Sequence, residues 1–216
     1  MIIAKYGIEF HRLDIDTIEL LRQWRNSDSI ARYMVYRKYI TVEMQREWFN
    51  TINNIYNHYF IVKKKGVNIG MFNLRDINWS DKLAEPGGFI AYEKFRASRI
   101  SAEALLLLFE TAFYFLKLET LSGTVLKSND SVVQTNISLG GEIVGENENS
   151  YRISISKERF LEKGDKFLSV ANRFHNAKGF SLYFSQKEED SGFRNELLEK
   201  VNYSPELYTN TLIIEG

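Results

Sequence analysis

The stretch Tyr92–Leu105, "YEKFRASRISAEAL", sets Arg96, Ser98, Arg99 and Ser101 between a β-like run and a strongly helical one. A strand–loop–helix junction is a natural anion site. Unpaired backbone N–H groups and the positive end of the helix dipole converge there. Such loops often use glycine, which lets the backbone come close to a phosphate. This one has none, but its arginine and serine side chains are able to contact phosphate. A second group is Trp24-Arg25-Asn26, at the end of an amphipathic run. Arg25 and Asn26 suit a phosphate or a sugar hydroxyl, or they anchor the helix end. Trp24 lies on the apolar face and packs. Glu85 precedes a short strand and is either a general base or a solvated loop carboxylate. Asn129 and Ser131 open another helical run.

Other chemistry is excluded. With no cysteine there is no disulfide, thiolate metal site or cysteine nucleophile, which suits a reducing compartment. His11, His58 and His175 show no metal-ligand spacing, so no metal is expected. Lys+Arg and Asp+Glu number 28 each, so nothing global points to nucleic acid or to a membrane surface. The chain of 216 residues is 44% hydrophobic, enough for one sizeable core. "MIIAKYGIEFHRLD" reads as a first strand and not a signal peptide. "ALLLLFETAFYFL" is too short to span a bilayer, so a cytoplasmic protein is expected.

The positioning elements follow from periodicity. "IIAKYGIEFHRL" is a strand, and Ile18, Leu21 and Trp24 mark a helix. Thr41 caps a second helix with an apolar stripe of Met44, Trp48, Ile52 and Ile55. A hairpin turns at Lys65-Gly66-Val67-Asn68. "GGFIAYEKF" is a strand. "SAEALLLLFETAFYFLKL" is a buried helix with Ser101 as its cap. Then come the strand "TLSGTVLKSN", a helix ending at Gly140 or Gly141, and a hairpin turning near Asn147–Asn149. The order β-α-α-β-β-β-α-β-α-β-β gives an α/β fold with a mixed sheet over residues 1–156. Residues 157–216 form a C-terminal extension: a charged helix, a β-like run, the polar linker "SQKEEDSG", a helix and a terminal strand. Lys187–Asp190 is expected to be a solvated loop.

This order resembles the GNAT acyltransferase fold. "LLRQWRNSDSIARYM", "ITVEMQREWF" and "FIVKKKGVNIGMFNLRDIN" are similar to its branch of ribosomal-protein and nucleotide-sugar N-acetyltransferases. Within that branch they are most similar to the acetyltransferases of the pseudaminic acid pathway, which act on a UDP-linked deoxysugar. The likeness covers residues 1–156.

The resemblance implies an acetyl-CoA-dependent N-acetyltransferase working by direct transfer in a ternary complex. It implies that the strand Gly88–Tyr92, with Phe89, Ile90 and Ala91, splays from its neighbour to hold the acyl chain and pantetheine. Arg96, Ala97, Ser98, Arg99, Ile100 and Ser101 occupy the pyrophosphate loop, and Asn129 and Ser131 match a downstream cofactor motif. Two departures stand out. Arg99 takes the place of a key glycine, where it could contact phosphate or block it. No tyrosine lies between Asp130 and Gly141 to protonate the thiolate. The expected acceptor is a nucleotide-linked amino sugar of surface-glycan synthesis, bound at Trp24, Arg25 and Asn26, with Glu85 as base. The alternatives are a protein N-terminus, a small amine, or a non-catalytic GNAT-like binding domain. A homodimer stays open as the assembly.

Overall fold

A computed structural model describes residues 1–96, 98–177, 179–203 and 213–215, the last three as backbone. Among these residues ten strands form one mixed sheet in the order β10-β9-β1-β2-β3-β4-β5-β6-β8-β7.

The first expected strand is a hairpin instead. Strands β1 (Ile2–Lys5) and β2 (Ile8–Arg12) reverse at Tyr6-Gly7, whose φ values are 60° and 65°. Two successive left-handed residues make the tight turn that matches strand twist. Helices α1 (Ile18–Asn26) and α2 (Asp28–Ala31) follow. Then comes α3 (Val42–Ile52), whose Thr41 hydroxyl accepts the Met44 N–H at 3.2 Å, as expected of a cap. The stripe of α3 is displaced from its expected position. Phe49 and Gln45 are buried, Trp48 and Ile52 pack partly, and Met44 is exposed.

Strands β3 (His58–Lys64) and β4 (Val67–Asn78) turn tightly at Lys65-Gly66. In β3, Phe60 and Val62 enter the larger core, and Tyr59 and Ile61 enter a smaller one under α1 and α3. Both faces of the strand are covered, which is why it reads as a continuous apolar run. Strand β5 (Leu83–Ile90) starts earlier than expected and ends before Ala91 and Tyr92.

Helix α4 (Glu93–Arg96) leads to α5 (Arg99–Glu110), which continues as a π-helical turn at Thr111–Phe115. Ser101 is not the cap of α5; Ser98 holds that position, and Ser101 lies in the first turn. Strand β6 (Thr120–Leu126), helix α6 (Asp130–Ser138) and the hairpin of β7 (Glu142–Glu146) and β8 (Ser150–Ser156) complete this part.

The remaining residues build onto the same sheet. Helix α7 (Lys157–His175) is followed by β9 (Ser181–Phe184), which pairs antiparallel with β1. Strand β10 (Ile213–Glu215) pairs parallel with β9. The expected solvated loop is a helix, α8 (Gln186–Asp190). Ser185 and Glu188 close a capping box at its start, and buried Glu188 meets the Met1 amino group. Helix α9 (Phe193–Lys200) sets Phe193 and Leu197 into the larger core.

No helix among the described residues is long and apolar enough to cross a membrane.

His58 is fully buried beside Phe60 and Phe193. Burial, aided by the Arg12 charge, pushes its pKa from 6.5 down to about 3. The unfolded chain therefore takes up a proton below about pH 6.5 that the folded state refuses until about pH 3. Stability is full above that window and falls as pH drops through it. His58→Phe should remove this slope. Denaturant unfolding at pH 7 and 5 should show the variant losing about 2 kcal/mol less than the wild type. Equal losses would refute the assignment.

Candidate active site

Strands β5 and β6 run parallel but pair only at Leu83–Thr120 and Ala84–Leu121. Beyond that rung they part. Pro86, two residues further on, has no N–H to donate, so the ladder cannot continue regularly. Amide directions alternate along a strand. The Ala91 N–H donates to Ile69 O at 2.8 Å, on the β4 side. The N–H groups of Gly88 and Ile90 therefore point the other way, into the parting. The Ile90 carbonyl faces it too and accepts from Arg96 Nε at 2.9 Å.

Arg96 is a structural clasp. Its guanidinium also donates to Ala91 O at 2.9 Å and to Ser29 Oγ at 3.4 Å, tying the end of β5 to α2. Ala97 lies outside the described residues. Ser98 turns its hydroxyl to Phe95 O at 2.7 Å, so no side chain caps α5. The first two N–H groups of that helix, those of Arg99 and Ile100, have no carbonyl of their own helix one turn back. Arg99 points along the helix, its Nε 2.9 Å from Glu103. Ile100 packs against the larger core, and Ser101 N–H donates to Ser98 O at 3.1 Å.

Across the parting, Asn129 sits at the start of α6 with no cap bond from its side chain. Ser131 is exposed.

On the α1 face, Trp24 meets Phe89 and Tyr92 edge-on, with ring centroids 6.2 and 6.5 Å apart. Asn26 clasps the Ile40 backbone, donating to its carbonyl at 2.8 Å and accepting its N–H at 2.9 Å. The amide is therefore occupied in holding the loop after α2.

Arg25 differs. Its Nε is buried without a partner, and no carboxylate among the described residues pairs with it. Burial lowers its pKa, and nearby Arg75 pushes the same way, with Tyr59 opposing. Arg75 lies opposite Glu85 in the β4–β5 register and binds its carboxylate. Burial would lower the Arg75 pKa, but the Glu85 bond prevails and raises it. Glu85 thus stands one residue past the last β5–β6 rung, already engaged by a guanidinium.

The β4–β5 register brings Arg75 and Glu85 together, and Arg25 and Tyr59 lie within electrostatic reach of Arg75. Arg75 and Tyr59 escaped the sequence reading. The alternation Met71, Asn73, Arg75 in β4 was the only signal available, and it needs the register with β5 to acquire meaning. Among the described residues, no group of three or more His, Cys, Asp or Glu could hold a metal ion.

The family model for the acetyltransferase (GNAT) domain matches residues 8–142. Among solved structures, the spermidine N-acetyltransferase from Vibrio cholerae, in complex with CoA and spermine, superposes with a TM-score of 0.66 at 18% identity, over 73% of this chain and 99% of that one. Apo FdhC, a nucleotide-linked sugar GNAT, gives 0.64 at 22% identity over 76% and 94%. An uncharacterized protein from Bacillus halodurans gives 0.64 at 12% identity, over 76% and 91%.

Proposed function

This chain belongs to the GNAT acetyltransferase family, and on that premise we propose that its acceptor amine is carried on an anionic molecule, a nucleotide-linked amino sugar of surface-glycan synthesis. As a member of the family it is an N-acetyltransferase that uses acetyl-CoA and acts on an amine. The residues fit that donor. The parting of β5 from β6 offers the Gly88 and Ile90 amides, and the start of α5 carries no side-chain cap.

Acetyl-CoA, when bound, supplies the thioester carbonyl. The acceptor nitrogen would form the new C–N bond as the C–S bond of the thioester broke, and the proton lost by the nitrogen would balance the one taken up by the sulfur. Glu85, at the mouth of the parting, takes the amine proton in this reading, with Arg75 orienting the carboxylate.

The carrying observation is Arg25. A guanidinium whose Nε is buried with neither a hydrogen-bond partner nor a counter-charge is unfavourable, and Arg75 near it makes it more so. An anionic acceptor would relieve this. A polyamine, itself cationic, would be repelled. This separates the reading from that of the spermidine N-acetyltransferases, whose acceptors are polycations.

Thiol release from acetyl-CoA, followed with UDP-linked amino sugars, spermidine and peptides, tests it. Turnover is expected with a nucleotide-linked amine and not with spermidine, and about a hundredfold lower kcat in Glu85→Gln. A preference for spermidine would overturn the acceptor class.

A further inference from the structure

The family match ends at residue 142, yet a later segment reaches the donor loop. Arg99 is the first residue of α5. Its guanidinium carbon lies 3.5 Å from the centroid of the Phe174 ring, in the last turn of α7. Its Nε is 2.9 Å from Oε1 of Glu103, one turn along α5. The same oxygen meets Nε2 of His175 at 2.7 Å. The Glu103 side chain is only 2% exposed.

That last turn of α7 is itself braced. His175 packs against Tyr6 with ring centroids 5.6 Å apart, and the Tyr6 hydroxyl donates to Asn172 at 3.2 Å or to Glu110 at 2.9 Å. Phe174 is 61% exposed. It contributes little to the core; its ring carries the Arg99 cation and meets His175 edge-on, with centroids 4.9 Å apart.

We propose that the end of α7 is a working part of the donor-binding loop. Phe174, His175 and Glu103 are positioning residues that hold Arg99 at the open start of α5. This rests on the reading of that loop as the diphosphate site of acetyl-CoA. A glycine-rich loop meets a diphosphate with backbone N–H groups alone. Here the glycines are missing, and a fixed guanidinium supplies the positive charge beside the N–H groups that remain. Glu103 engages Nε, and among the described residues no hydrogen bond engages the terminal Nη atoms of Arg99, which leaves them for phosphate oxygens.

Fixing matters because a free arginine surrenders its rotamer freedom when it binds. One held by stacking and an ion pair has surrendered it on folding, so less is lost at binding. The stack also turns the flat face of the guanidinium to the ring and leaves its edges for hydrogen bonds. The C-terminal extension thereby acquires a role at the site that the first part of the chain forms.

Calorimetric titration of the full chain with CoA, alongside thermal melting of each variant, decides it. Arg99→Ala should weaken CoA binding about tenfold or more. Phe174→Ala should weaken it roughly three- to tenfold with little change in melting temperature. Phe174→Tyr should restore the affinity, because the stack survives. In the Arg99→Ala background, Phe174→Ala should add nothing. Unchanged CoA affinity in Phe174→Ala, independent effects that multiply, or tighter binding by Arg99→Ala would overturn the proposal while leaving the functional reading intact. A wild-type chain that does not bind CoA would sink both.

Discussion

Arg25→Met should raise the KM for a nucleotide-linked amine roughly 10- to 100-fold while the affinity for acetyl-CoA stays unchanged. The range is that of a charge-assisted hydrogen bond to a largely desolvated group. The same variant should melt at the wild-type temperature or above it. Arg25 is buried at Nε without a partner, faces Arg75, and has no carboxylate to answer it among the described residues. Methionine keeps the apolar stem and removes the unanswered charge, which is neutral or stabilising in other proteins. Lost function with gained stability marks a residue kept for a ligand. Steady-state kinetics and calorimetric melting measure the two quantities independently. A lower melting temperature with unchanged KM would make Arg25 a structural anchor and remove the main support for an anionic acceptor. Asn26 is the contrast, since both ends of its amide bond the Ile40 backbone.

A chain ended after Ser156 should not fold, although the family match lies wholly within it. The cut removes Phe160, Leu182 and Leu197, each fully buried, from a core they share with Ile3, Tyr6 and Phe10. Each such side chain contributes about 1.5–3 kcal/mol when buried. Together they rival a domain's net stability of about 5–15 kcal/mol. The cut also strips β9 from β1, baring an edge of backbone donors and acceptors. Circular dichroism and thermal melting of the shortened chain check this. A cooperative transition near the wild-type temperature would mean that the first 156 residues stand alone.

The sequence was most informative where a local signal agreed with the tertiary outcome. Thr41 capped its helix, Lys65-Gly66 made its turn, and the apolar run Ala104–Leu116 was buried. Reading failed where a local signal was weak or its meaning lay far off in the chain. Tyr6-Gly7 lacks the asparagine or aspartate that usually announces a two-residue hairpin turn, so one strand was read where there are two. Ser185 and Glu188 did spell a capping box, but the charge of the run Lys187–Asp190 disguised a helix as a linker. At the site, Trp24-Arg25-Asn26 was legible as a group, yet the three side chains do different work: packing, an unanswered charge, and a backbone clasp. Nothing local separates them. The groups on β3 and β4 whose charges act on Arg25, Tyr59 and Arg75, are remote in sequence, and the ring under Arg99 is 75 positions away in the chain.

The place of β1 in the sheet has a consequence for synthesis. Residues 2–5 leave the ribosome well before their outer partner, residues 181–184. At about 5–20 residues per second, the hairpin of β1 and β2 waits on the order of ten to thirty seconds with one edge bare. Folding of this chain therefore cannot finish vectorially from its beginning. It closes late, on an early segment, and that closing step is the slow, aggregation-exposed part of its biogenesis.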